Sequence, residues 1–256
     1  MTTTSTAPPT EPLGAQETTY LASRTGDATV AVSDIATGRT WLYHPGDAQD
    51  TASIVKVDIM ATLMAQSEAS GQPLSASTTA LLTPMIEASD NDAATSLWAA
   101  AGAASGIGHY DTSIGMTGTA PSPCVQCTGF PWPGWGLTTT TASDQITLLR
   151  QLVHPGGSLN LADRQLALTL LENVESSEHW GVSGGIPPGV TVALKNGWVP
   201  LTDGLWQIDS IGWVEGKGRN YLIAVLTDGN PTEQYGIDTI DTLSAMVWSS
   251  FGAPAP

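Results

Sequence analysis

Ser53-Ile54-Val55-Lys56 opens a helix-patterned run over residues 53–69, with Val57, Met60, Ala61 and Met64 spaced for one face and Gly71 just beyond its end. On a helix, residues three apart share a face, so the hydroxyl of Ser53 and the amine of Lys56 lie side by side. A serine hydroxyl is a weak nucleophile until a neighbour takes its proton, and a desolvated lysine amine can do so. Lysine is scarce here: the 256 residues hold only Lys56, Lys195 and Lys217.

Strand signals lie on both sides of this helix. Residues 28–35 and 39–43 flank Ala36-Thr37-Gly38 and read as a hairpin. Three further strand-like runs cover 191–195, 205–214 and 221–227, the last two joined by Gly216-Lys217-Gly218. Residues 232–251 close the chain as an amphipathic helix, with Ile237, Ile240, Leu243, Met246 and Val247 on one side. The middle is helical. Residues 79–86, 91–101, 141–153 and 161–173 carry the pattern, with Pro84 breaking or kinking the first of them. Residues 105–137 are rich in Gly, Pro, Thr and Ser and show neither period, which predicts a long loop. The expected fold class is α+β. An antiparallel sheet is built from N- and C-terminal segments with helices packed on it, and an all-helical lobe is inserted between its halves. Residues 1–19 read as a flexible leader and 20–256 as one domain, its sheet lobe near 20–50 and 190–256 and its helical lobe near 51–189. The cleft between lobes is the expected site.

Composition narrows the function classes. Charged residues make up 12% of the chain and the net charge is −16, so eight scattered Lys and Arg build no basic patch for nucleic acid or an anionic membrane. No apolar run reaches the length of a membrane span. The first 19 residues lack the basic start and apolar run of an intact signal peptide; they fit a native tail or the remnant of a cleaved signal. Cys124 and Cys127 favour a small loop-closing disulfide in an exported protein over a redox pair or a zinc site. His44, His109, His154 and His179 are too dispersed to form a ligand set. Neither metal nor cofactor is expected, and the chain is expected to act as a monomer.

Two more short elements fall at the seams of the expected layout. Ser89-Asp90-Asn91 lies in a turn between two helices, and Lys195-Asn196-Gly197 ends the first C-terminal strand. Their order after Ser-x-x-Lys resembles the penicillin-recognising serine hydrolases, the class A β-lactamases and D-alanyl-D-alanine peptidases, over roughly residues 29–251. The resemblance implies Ser53 as nucleophile, Lys56 as its base and Ser89 as a relay to the leaving nitrogen. It implies that Asn91 holds Lys56 and a substrate carbonyl, and that Lys195 steers a substrate carboxylate. Asn196, Gly197 and Trp198 would complete the substrate site. The oxyanion hole would be the backbone N–H groups of Ser53 and Trp198. Trp132 and Trp135 are candidates for the cleft wall.

Three departures from the family pattern bear on activity. No glutamate occurs between Glu87 and Glu172, so the loop before Thr138 lacks the carboxylate that activates the deacylating water in class A enzymes. Asn196 stands where Thr or Ser is usual, and Trp198 where a small residue is common. The resemblance therefore implies a secreted or cell-envelope serine acyl hydrolase, a weak or atypical β-lactamase. A D-alanyl peptidase, esterase or transacylase are its alternatives, and a penicillin-binding sensor the reading outside enzymes.

Overall fold

The computed structural model describes residues 11–128, 131–201 and 203–251. Helix α1 (Ala15–Ala22) precedes a hairpin of β1 (Asp27–Asp34) and β2 (Thr40–Tyr43), then a short strand β3 (Gln49–Asp50). A 3₁₀ turn at Ala52–Ile54 leads into α2 (Val55–Ser70), followed by α3 (Ala76–Glu87), α4 (Asn91–Ala100) and α5 (Ala103–Ile114). A second 3₁₀ turn at Gly134–Leu137 and strand β4 (Thr139–Thr140) come before α6 (Ala142–Val153) and α7 (Leu161–Glu172). The chain ends with β5 (Thr191–Pro200), β6 (Trp206–Gly216), β7 (Arg219–Asn230) and α8 (Glu233–Ser250).

The main sheet is antiparallel with order β2-β1-β7-β6-β5, so the first strand is inserted beside the last and the two ends of the sequence make one sheet. Alternation of side chains across the pleat buries both faces. Val30, Val32, Ile223 and Val225 point to one face, under Ile240, Leu243 and Val247 of α8. Ala31, Leu222, Ala224 and Leu226 point to the other, where they join the core of the helical region. The fold is thus α+β, as the pattern of strands and helices predicts.

Helix α2 is the axis of the helical region. The one apolar face read from the sequence understates its burial: all ten residues from Val55 to Met64 are buried, including Lys56, Asp58 and Thr62. A helix enclosed on every side must find partners for its polar groups or neutralise them.

Three further expectations are corrected. The leader expected over residues 1–19 is helical from Ala15, where Gly14 and Glu17 start α1 and Leu21 packs with the α8 side of the sheet; residues 1–10 lie outside the described residues. The long loop expected over 105–137 begins with α5, which glycines conceal from propensity. Gly106 is required there, because a Cβ would sit 1.8 Å from the carbonyl oxygen of Ala101. Strand β5 does not end at Lys195 but continues to Pro200, pairing with β6 throughout. The expected disulfide is present between Cys124 and Cys127.

Buried charge sets a pH limit on this core. Asp58 of α2 and Asp111 of α5 are each 1% exposed. Burial raises both carboxyls, and the charge of Asp111 raises Asp58 further; Asp111 itself is pushed up to about 7. In the unfolded chain both ionise near the ordinary 3.8. The unfolded state therefore releases protons first, and stability falls as pH rises from about 4 towards 7. Asp58→Asn removes one of the two charges. Its melting temperature should exceed the wild type's at pH 8 by roughly 2–8 °C, the equivalent of about 1–2 kcal/mol, with the gain vanishing at pH 4. Thermal scans at the two pH values check this; equal gains at both would exclude the charge effect.

Candidate active site

The helical region and the β5 edge of the sheet enclose a cleft of about 330 Å³ that brings together Ser53, Ser89, Asn91, Trp132, Trp135 and Trp198. Its base is the start of α2. Ala52 adopts a left-handed conformation (φ 41°) that turns the chain into the 3₁₀ turn and presents Ser53. Ser53 Oγ opens to the cleft with no hydrogen-bond partner among the described residues.

Lys56 lies beneath it with no exposed surface. Its Nζ donates to the carbonyl oxygen of Ser89 at 2.5 Å and to Asn91 Oδ1 at 2.7 Å, and lies 3.0 Å from Ser89 Oγ. The Trp135 ring stands 5.1 Å from the same nitrogen, with its indole N–H donating to Thr95 Oγ1. Burial, helped by the nearby Lys195 and opposed by Glu178 and Asp90, pulls the Lys56 amine down from 10.5 to about 6. A neutral amine has two N–H groups and a lone pair. The two acceptors engage the former and leave the latter for a hydroxyl.

The Ser89-Asp90-Asn91 turn owes its shape to helix capping. Asp90 caps α4, accepting the Ala93 N–H at 2.7 Å, while Ser89 takes a left-handed conformation (φ 53°). Reading Asp90 as a helix start and reading Ser89 and Asn91 as site residues are therefore compatible: the cap aims both neighbours at Lys56.

Strand β5 closes the other wall. At Gly197 a Cβ would stand 2.7 Å from the backbone nitrogen of Ser53 and 3.0 Å from that of Ile54, so glycine alone lets the strand lie against the backbone of Ser53. The small sheet of β3 and β4 fixes the same point from below, with the Thr51 N–H donating to Thr138 at 2.8 Å.

Lys195 and Asn196 depart from the expected arrangement. Both are fully buried and neither lines the cleft. The Asn196 amide is committed to holding a loop: Nδ2 donates to the carbonyls of Glu178 and Trp180 at 2.6 and 3.2 Å, and Oδ1 accepts from Ser210 at 2.6 Å. It is corrected from a substrate contact to a residue that positions that loop. Lys195 Nζ donates to the Asn196 carbonyl at 3.0 Å and lies 3.8 Å from Glu178 Oε2. Burial lowers Lys195 to about 8, with Glu178 acting to raise it.

The loop delivers two residues that the sequence reading missed in this role. Glu178 lines the cleft opposite Ser53, and Trp180 packs edge-on against Trp198 at 6.0 Å. Trp206, from β6, also lines the cleft. Glu178 sits in an aperiodic segment between α7 and β5, and only its place shortly before the Lys195 strand hinted at the site. Asp111 and Asp144, the carboxylates nearest the cysteine loop in sequence, are elsewhere. Asp111 is in the helical core, and Asp144 accepts from Gly118 and Thr119. Among the described residues no cluster of His, Cys, Asp and Glu could hold a metal.

Comparison with known proteins agrees with this architecture. The profile of the "Beta-lactamase enzyme family" matches residues 69–251, which takes in Ser89, Asn91 and Lys195 but not Ser53 or Lys56. The chain is 31% identical over 222 residues to "Putative lipoprotein LppW" of Mycobacterium tuberculosis and of Mycobacterium bovis, covering 82% of this chain and 66% of that protein. The TLA-1 extended-spectrum beta-lactamase superposes with a TM-score of 0.84 at 15% identity, covering 95% of this chain and 99% of that one. A beta-lactamase from Chitinophaga pinensis does so with a TM-score of 0.81 at 17% identity over 93% and 98%. An ancestral class A beta-lactamase gives a TM-score of 0.76 at 21% identity over 93% and 99%. With the family profile spanning well over half of its length, the chain belongs to the beta-lactamase enzyme family.

Proposed function

We propose that the protein is a serine acyl hydrolase that forms an acyl-enzyme on Ser53. The observation that carries this reading is the buried amine of Lys56, lowered to about 6 and bonded to Ser89 and Asn91. At neutral pH it is a base without charge, one helical turn from a hydroxyl that faces a cleft. The steps follow from the groups present. Lys56 accepts the Ser53 proton as Oγ attacks a carbonyl carbon. The developing oxyanion is held by the N–H groups of Ser53 and Trp198, which Gly197 allows to sit close together. Ser89, 3.0 Å from Lys56 Nζ, returns the proton to the leaving nitrogen or oxygen. Asn91 bonds the amine through Oδ1 and retains its Nδ2 for a substrate carbonyl.

Release of the acyl group has weaker support. The cysteine loop brings indole rings to the cleft and no carboxylate, so no base there activates a water in the manner of class A enzymes. Slow turnover fits a weak β-lactamase, or a peptidase, esterase or transacylase whose natural acyl group leaves to another acceptor. It also gives weight to a penicillin-binding sensor that stops at the acyl-enzyme. The similarity to "Putative lipoprotein LppW" supports a place at the cell envelope. No described helix is long and apolar enough to cross a membrane.

Incubation with a penicillin should leave a lasting adduct, seen by mass spectrometry on the peptide that contains Ser53. Ser53→Ala should abolish it, and Lys56→Ala should slow its formation by about 10²–10⁴-fold. Fast hydrolysis with no trapped adduct, or an adduct on another residue, would contradict the reading.

The acylation rate should also report both lysines. Below about 6 Lys56 is protonated and cannot accept a proton, so the rate rises with pH through that value. Above about 8 Lys195 loses its positive charge, whose field favours the anionic transition state, and the rate falls. Single-turnover acylation with an uncharged aryl ester should give a bell between these limits. A profile rising steadily to pH 10 would rule out Lys56 as the base.

A further inference from the structure

Glu178 changes what the site can accept. In the arrangement implied by the resemblance, the lysine of the third motif faces a substrate carboxylate. In this chain that lysine has no exposed surface and does not reach the cleft; the group that does is a carboxylate. Glu178 Oε2 lies 3.8 Å from Lys195 Nζ and has no hydrogen-bond partner. Three bonds of the Asn196 amide, two to the Glu178–Trp180 loop and one from Ser210, hold this placement. The usual hydroxyl at position 196 is absent, and β6, which pairs with the motif strand, carries neither Lys nor Arg.

The Lys195 ammonium is therefore matched by Glu178 without a substrate, and Asp90 and Glu175 add further negative charge nearby. Neutral Lys56 contributes no charge. A substrate carboxylate brought to this end would meet Glu178 with no spare cation, and like charges at close range disfavour binding. The field of a chain with net charge −16 acts in the same direction. The rest of the wall is aromatic, with Trp132, Trp198 and Trp206 offering faces that suit apolar or cationic groups. Resting on the acyl-enzyme reading, we infer that Glu178 is a specificity-determining residue that selects acyl donors, amides or esters, that are uncharged or cationic at the Lys195 end. Peptides ending in a free carboxylate and ordinary penicillins, which are anions, are disfavoured; amides or esters without that carboxylate are the substrate class.

Benzylpenicillin and its methyl ester differ only in this charge, and Ser53 acylation by each can be followed by intact-protein mass spectrometry. In the wild type the ester should acylate faster than the acid. In Glu178→Gln the ester-to-acid ratio should fall at least tenfold, which cancels any difference in intrinsic reactivity between the two compounds. Raising the ionic strength should speed acylation of the wild type by the acid and leave the ester little changed. With Ser53→Ala, the dissociation constants of the same pair should keep the same order, a binding readout that does not need the chemistry. A ratio unchanged in Glu178→Gln overturns the inference. So does a wild type that binds and reacts with the acid better, or a variant whose only defect is release of the acyl group, which would make Glu178 a base for water. If neither compound acylates Ser53 but Ser53→Ala still binds the ester more tightly than the acid, the acyl-enzyme reading fails and the selectivity stands.

Discussion

A lysine amine with no exposed surface must lose its charge or be matched. Lys56 is the largest polar side chain at the centre of the helical region, and burial draws it to about 6. Burial leaves the amine unprotonated at neutral pH and so, in the proposed mechanism, available to take the Ser53 proton, although the same burial makes it a weaker base. The surrounding elements serve that exchange. Helix α2 is enclosed on all sides, the Ser89 turn supplies acceptors for a neutral amine, and Trp135 fills the remaining wall. An apolar residue at position 56 would leave the Ser89 carbonyl and Asn91 Oδ1 without this donor and Ser53 without the proposed base.

The sheet does a different task. Pairing β1 with β7 ties the start of the chain to its end, and the helical segment between them is held at both of its roots. The edge strand β5 lies at the cleft, where it offers backbone groups beside the Trp198 side chain. Gly197 sets the distance between that edge and the N–H of Ser53, and the β3–β4 pair fixes Ser53 from the opposite direction. Ser53 and the proposed oxyanion donors are thus held by backbone geometry, which does not relax as side chains do.

Much of this was readable from residues alone, for reasons that differ by element. The two hairpins and α8 have strict periods and glycine turns, and the strands of the main sheet lie within five residues of the expected ones, whereas the two-residue strands β3 and β4 carry no period to read. The three short motifs stood out because lysine is rare in this chain and each motif falls at a seam. Helix α5 was missed because Gly106 and Gly108 obscure the helical pattern, although packing against Ala101 requires the first of them. The extension of β5 past Lys195 was hidden by Asn196-Gly197, a pair that reads as a turn but here pairs with Ser210 and Asp209 in β6. Glu178 was invisible for a deeper reason. It lies in a segment without period, and its place is set by an asparagine that local sequence does not link to it.

Glu178 and the two lysines are best understood as one titrating group. Glu178 opposes the lowering of Lys56 and raises Lys195, while burial raises the Glu178 carboxyl itself, against the pull of the two lysines. The carboxylate raises both amines against the burial that lowers them. With it, Lys195 stays protonated at neutral pH while Lys56 does not, the division of labour that the proposed base and its electrostatic support require. Glu178 then offsets the Lys195 ammonium before substrate binds, and the charge that the proposed reaction adds is the oxyanion of the transition state, facing backbone N–H groups. A substrate with its own carboxylate would meet the Glu178 carboxylate before the reaction begins, with no unmatched cation to receive it. A site balanced in this way favours the transition state over the bound substrate only when the substrate arrives without an anion.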